Sequence, residues 1–266
     1  MPLTPAQRVV AKLLSKNRTE GSHLAGGSAM HFEPQSFRYS EDLDYFHDSL
    51  ERVSVAFEED KKTLQGNQYR VQSEIFTPGY IRALVVGPEG ACKVEWARDS
   101  SWRFMPVQTH PELGFVLHPV DLTINKLLAL VGRDEPRDFL DVLHTHAHHL
   151  SLGAQCWAAC GKDPGFSPHS LQELLKRKGR YRAEDFTRLH LRDGFKIDLP
   201  EMKENWLRML REAEDFLAKA PGDQVGCLYY SKSKRSFVTP SFESSEARDV
   251  VPHYGCAGGV LPAILD

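Results

Sequence analysis

The apolar pattern of this chain changes period once, and that change limits the folds open to it. Three runs, Tyr69–Phe76, Ile81–Val86 and Cys92–Ala97, are rich in β-branched and aromatic residues. Pro78-Gly79 and Gly87-Pro88 mark turns between them. Asp42–His47 reads as a further strand and 50–64 as a helix, while Thr4-Pro5 opens a helix towards Lys16. Beyond Pro119 the spacing is helical: Val120, Ile124, Leu127, Leu128 and Val131 share one face, and Phe139, Val142, Leu143 and His146 another. Helices are also predicted over 171–178, 183–191 and 201–219. Val225–Tyr230 and Ser236–Thr239 flank Ser231-Lys232-Ser233-Lys234 as a hairpin, and the glycine-rich stretch from Tyr254 to Pro262 receives no element. The expectation is an α+β protein. Residues 1–118 form a sheet domain with flanking helices, and 119–266 a mainly helical domain ending in a short hairpin and tail.

Composition removes several function classes. Lys and Arg number 33 against 36 Asp and Glu, a net charge of −3, which excludes a uniformly basic nucleic-acid coat but leaves local patches open. No apolar run is long enough to span a membrane, and Met1–Arg8 lacks the apolar core of a signal peptide. The cysteines (Cys92, Cys156, Cys160, Cys227, Cys256) are odd in number and scattered. That usage fits a reduced, cytoplasmic protein and not a disulfide framework.

The sharpest chemical signal lies between Leu24 and Phe46. Asp42 and Asp44 stand two apart on a predicted strand, so both point to one face while Leu43 and Tyr45 point to the core. Adjacent carboxylates repel unless a cation lies between them, and hard oxygen ligands suit Mg²⁺. An isolated Asp-x-Asp is commonly a solvated strand edge. Upstream, however, Gly26-Gly27-Ser28 offers backbone that a ligand can approach closely, with a hydroxyl beside it. Two-metal chemistry needs a third carboxylate, and Glu95 shares a strand face with Lys93, opposite Cys92, Val94 and Trp96. On the helical side, Lys126 and Arg133 are seven apart and share a face, as do Asp138 and Asp141. Taken alone, these four read as ordinary surface charge.

Taken together, Gly-Gly-Ser-Ala, Arg38-x-Ser40-x-Asp42-Leu43-Asp44, the later Glu95, and Lys126 followed by Arg137-Asp138-x-x-Asp141 resemble the AbiEii/AbiGii-type toxin nucleotidyltransferases. These are the toxin halves of bacterial toxin–antitoxin and phage-defence systems, and MenT toxins are their relatives. The resemblance spans about Leu24 to Asp141. It implies a polymerase-β-like nucleotidyltransferase mixed sheet at the N-terminus. It implies that Asp42 and Asp44 bind Mg²⁺ and that Lys126 and Asp138 are needed for activity. Gly26, Gly27 and Ser28 hold the nucleotide phosphates, with Arg38, Ser40, Lys126 and Arg133 completing the nucleotide site. Two departures are Glu95, where Asp is frequent, and Tyr45, where Phe is usual.

The implied reaction moves a nucleoside monophosphate from an NTP to an acceptor hydroxyl, releasing pyrophosphate. Glu95 then serves as third metal ligand and general base in a two-metal site, and Lys126 offsets charge on the β- and γ-phosphates. For the acceptor, residues 176–192 carry seven Lys/Arg against two acids. Lys176, Arg177, Lys178 and Arg180 are the expected RNA contacts. The resemblance points to the tRNA 3′ end, within a type IV system in which a cognate antitoxin need not bind the toxin directly. A same-fold enzyme modifying a small molecule or a protein hydroxyl stays open, as does an inactive nucleotide-binding relative. His144, His146, His148 and His149 have no Cys or carboxylate to complete a zinc set and read as a polar helix end. Cys156 and Cys160 read as small core residues.

Overall fold

The computed structural model describes residues 3–242 and 249–263. They divide into two compact units: 3–122 with 189–195 and 257–259, and 123–188 with 196–242, 249–256 and 260–263. Along the first stretch the elements are α1 (Pro5–Leu14), β1 (Ser22–Ala25), α2 (Gly26–Met30), β2 (Asp42–His47), α3 (Leu50–Gly66), β3 (Arg70–Thr77), β4 (Tyr80–Gly87), β5 (Gly90–Arg98), β6 (Trp102–Arg103), β7 (Gln108–His110) and β8 (Gly114–Val116). Next come α4 (Pro119–Arg133), α5 (Pro136–His148), α6 (Leu152–Lys162), α7 (Pro168–Leu175) and α8 (Leu199–Lys219). The chain closes with β9 (Leu228–Ser231), β10 (Ser236–Val238), β11 (Val250–His253) and β12 (Cys256–Ala257).

In the first unit seven strands form one mixed sheet in the order β3-β4-β5-β2-β1-β8-β7. The pairs β2–β5 and β1–β8 are parallel and the other pairs antiparallel. Local chemistry accounts for the element ends. The Thr4 hydroxyl accepts from Gln7 N and the Gln7 side chain accepts from Thr4 N, a reciprocal cap that starts α1 at Pro5. Gly79, at φ +81°, supplies the left-handed residue that turns β3 into β4.

Alternation then sorts the side chains. Leu43, Tyr45, Val94 and Trp96 are buried in one core with Val10 and Leu14 of α1 and Val53, Phe57 and Leu64 of α3. The opposite face of β2 and β5 carries Asp42, Asp44 and Glu95. A buried ion pair reinforces the packed face. Arg18 meets Asp60 at 2.6 Å, and Trp96 Nε1 donates to the same carboxylate at 2.7 Å. Such a pair strongly destabilises the fold when only one partner is removed.

The second unit is helical, with α6, α7 and α8 packed on one another and α5 on α8. Phe139 of α5 meets Trp206 of α8 edge-on at 5.1 Å. Its sheet is β10-β9-β11. The predicted hairpin is present as β9 and β10, and β11 adds a third strand that the sequence does not announce. No helix among the described residues is long and apolar enough to cross a membrane.

Two helix expectations need correction. The helix expected over 183–191 is instead one 3₁₀ turn, Ala183–Phe186, followed by a turn and an isolated bridge at Leu191. The backbone around that bridge bonds elsewhere: Tyr39 N donates to His190 O at 2.8 Å and Arg192 N to Phe37 O at 2.9 Å. The helix α6 was not expected because it shows no apolar stripe. Every residue from Leu152 to Cys160 is buried, so polar and apolar faces never separate.

Candidate active site

Parallel pairing of β2 with β5 sets Asp42 against Lys93 and Asp44 against Glu95. Side chains at paired positions share a face, so two strands remote in sequence deliver three carboxylates to one spot. One oxygen from each of Asp42, Asp44 and Glu95 lies within 4.8 Å of the others. Among the described residues this is the one group of three or more His, Cys, Asp or Glu side chains close enough to share an ion. An all-carboxylate, partly exposed donor set fits a hard divalent cation.

Glu95 is also held from the other side. Arg82 of β4 contacts its Oε1 through Nε at 2.7 Å and through a terminal nitrogen at 2.6 Å. The Tyr80 hydroxyl is pushed up to about 12, first by burial and then by its hydrogen bond to Glu95.

The glycine turn fits around Asp44. Gly26 has φ +58°, and a Cβ there would lie 2.0 Å from Asp44 Oδ2. Both conformation and space therefore exclude a side chain. Gly27 N donates to Asp44 Oδ2 at 3.2 Å. Ser28 is fully buried, donating its hydroxyl to Ala25 O at 3.1 Å and accepting from Asp44 N at 3.2 Å. That hydroxyl ties the turn to β2. Arg38 and Ser40 are buried against the same turn: a Cβ on Gly27 would lie 2.8 Å from Ser40 Oγ and 3.3 Å from an Arg38 guanidinium nitrogen.

In the second unit Lys126, Arg133, Asp138 and Asp141 form one ionic network. Lys126 Nζ lies 2.8 Å from Asp141 and 3.4 Å from Asp138, and both carboxylates are fully buried. Arg133 grips Asp138 with two bonds, at 2.6 and 3.0 Å. The shared helix faces foreseen in the sequence thus meet each other across α4 and α5.

The profile of the nucleotidyl transferase AbiEii toxin family, of type IV toxin–antitoxin systems, matches residues 15–226. The chain belongs to this family. Among solved structures, JHP933 from Helicobacter pylori aligns at 17% identity and TM-score 0.49, covering 80% of this chain and 92% of its own. A second H. pylori structure, of a candidate nucleotidyltransferase, aligns at the same identity and TM-score over 80% of this chain and 95% of its own. Among curated proteins, none matches.

This AbiEii protein is accordingly a nucleotidyltransferase toxin on a mixed α+β fold, and its family implies a nucleotide substrate and an antitoxin. The residues expected to contact RNA are unevenly available. Arg177 and Arg180 are exposed. Lys176 pairs with Glu173 at 2.8 Å, and Lys178 with Asp134 at 3.4 Å. Among the described residues the histidines of α5 join no group of three or more His, Cys, Asp or Glu side chains close enough to share an ion. His144 and His148 stack at 4.3 Å, and His146 accepts from Leu152 N at 3.1 Å. All five cysteines are free thiols.

Arg82 and Tyr80 were absent from the sequence-based site, although a signal for Arg82 existed. The turn Gly87-Pro88-Glu89-Gly90 sets the hairpin register, and counting back from it puts Arg82 directly across from Glu95.

Proposed function

We propose that this AbiEii-family protein transfers a nucleoside monophosphate from an NTP to a hydroxyl of an RNA acceptor in the cytoplasm, with Mg²⁺ held by Asp42, Asp44 and Glu95. The observation that carries the proposal is the convergence of those three carboxylates within 4.8 Å from two parallel strands. Two bound ions would activate the attacking oxygen and stabilise the leaving one.

The chain's own groups supply the rest. Gly26 and Gly27 let the turn close directly on Asp44, Ser40 and Arg38, and this turn is the part of the chain that holds the nucleotide phosphates. Arg38 and Ser40, packed on that turn, complete the nucleotide side. Arg82 and Tyr80 fix the Glu95 carboxylate, and Glu95 accepts the proton of the acceptor hydroxyl. Lys126 and Asp138 are required for activity, with Arg133 assisting through Asp138. The family resemblance favours the tRNA 3′ end as acceptor. The toxin's cognate antitoxin need not form a direct complex with it.

The deciding experiment incubates the protein with each α-³²P-labelled NTP, Mg²⁺ and total bacterial RNA, beside the D42A/D44A variant. Label on RNA that disappears in the variant is the expected result. Label confined to protein or a small molecule moves the acceptor to the alternative class, and equal labelling by the variant overturns the site. Replacing Lys176, Arg177, Lys178 and Arg180 with Glu tests the basic stretch, for which loss of RNA labelling with retained nucleotide binding is expected.

A further inference from the structure

Beside the acidic cluster, the first unit holds a cavity of about 560 Å³ lined by Gln7, Tyr39, Glu41, Leu84, Lys93 and His190, among others. Its walls adjoin the cluster through the chain and through the sheet. Glu41 directly precedes Asp42, and Lys93 is the cross-strand partner of Asp42. Lys93 also lies two residues before Glu95, on the same face of β5. Hydrogen bonds pin the cavity walls. The Gln7 side chain donates to Ser40 O at 3.0 Å, and Tyr39 N donates to His190 O at 2.8 Å.

In the sheet order β1 and β5 flank β2 on opposite sides. The glycine turn stands on the β1 side of the carboxylates, and the cavity, walled by α1, residues 39–41, β5 and β4, runs from Ser40 beside that turn to Leu84 of β4. A transfer centre needs donor and acceptor on opposite sides of the reacting phosphorus, and a cavity that reaches past β5 to β4 leaves the glycine turn to the donor. The volume falls in the range of sites that hold small ligands. Lys93 supplies a cation, and Tyr39 and Leu84 supply aromatic and apolar surface of the kind that receives an unstacked base.

We propose that this cavity is the acceptor pocket and receives the terminal nucleotide of an RNA strand, with Lys93 against its phosphate and Tyr39 against its base. The inference rests on the reading of Asp42, Asp44 and Glu95 as the transfer centre. Its test does not depend on turnover.

Binding of a short fluorescein-labelled single-stranded RNA to the full chain is followed by anisotropy across a salt series, without NTP. Lys93→Glu is expected to weaken binding at least tenfold and to flatten the salt dependence by about 0.7 in logarithmic slope, the value of one phosphate contact. Tyr39→Ala is expected to weaken it about tenfold with the slope unchanged. Lys62→Glu makes the same charge change on α3, away from the cavity, and is expected to bind as wild type does. Wild-type affinity and slope in both Lys93→Glu and Tyr39→Ala overturn the pocket, and so does absence of RNA binding by the wild type. If those two variants still label RNA as the wild type does, the pocket falls and the transferase stands. If wild-type and D42A/D44A proteins label alike, it is the transfer centre that fails.

Discussion

Asp44→Asn separates the stability of the site from its function, because the geometry sets the two effects in opposition. The three ligand oxygens lie within 4.8 Å of one another. Two unit charges at that distance repel by about 3.5 kcal/mol at an effective dielectric of 20, and by about 0.9 kcal/mol in bulk water. The carboxylates are half-buried, which places the term between those limits. Arg82 already offsets Glu95 at 2.6 Å, so the Asp42–Asp44 pair carries most of the repulsion. The amide oxygen of Asn can still accept from Gly27 N, which preserves the turn. In EDTA the variant is therefore expected to gain about 1–2 kcal/mol. At roughly 2–4 °C per kcal/mol, that is a rise in melting temperature of about 2–8 °C. Adding Mn²⁺ or Mg²⁺ should raise the wild-type transition in proportion to the logarithm of ion concentration and leave the variant almost unmoved. Calorimetry with and without EDTA reads both effects. A variant that melts below the wild type in EDTA, or that gains as much from the ion, would refute the idea that these side chains are held in tension for a cation.

Gly26→Ala forces a Cβ to within 2.0 Å of Asp44 Oδ2 at a positive φ, so Asp44 must move; a displacement of that order is expected to cut nucleotidyl transfer about a hundredfold. Normal turnover in that variant would show that Asp44 tolerates displacement. Lys126→Met leaves Asp141 buried without its cation and should cost about 3–5 kcal/mol in urea unfolding; adding Asp141→Asn should restore much of it, and no recovery would mean that the network is not the cause. His47 is buried with neither ring nitrogen hydrogen-bonded, and burial, then the charges of Arg18, His23 and Arg52, lower it from 6.5 to about 3. The unfolded chain takes up that proton near pH 6.5 and the native chain does not, so its contribution is whole above pH 6.5 and lost as pH falls towards 3. A His47→Gln variant should accordingly show an acid limb shallower by about 1.4 kcal/mol per pH unit, and an unchanged limb would assign the slope to other groups.

The limits of the sequence reading follow from which interactions are local. The strand Asp42–His47 was legible residue for residue, because alternation needs no knowledge of the partner strand. The helix α4 was legible for the same reason, through its apolar face. The failures mark non-local control. Residues 187–191 have a helical composition, yet His190 O accepts from Tyr39 N, and just beyond them Arg192 N donates to Phe37 O. The helix α6 is buried on every side and so carries no pattern to read. Strands as short as β7, β8 and β11 fall below the length at which alternation can be told from chance.

The site divides along the same line. That Asp42 and Asp44 share a face, and that Glu95 shares one with Lys93, are consequences of a two-residue repeat and stand on the order of amino acids alone. That these two faces are one face is a property of the β2–β5 pairing, about fifty residues apart in the chain, which no local pattern specifies. The same holds for Ser28. Its place after two glycines marked it as a hydroxyl beside a turn, but its burial and its bonds to Ala25 and Asp44 exist only once β1 and β2 lie together. Residue chemistry named the carboxylates, the glycines and the lysine. Packing decided which of them meet, because long-range strand and helix contacts are selected by the burial of the whole core and not by any segment of it.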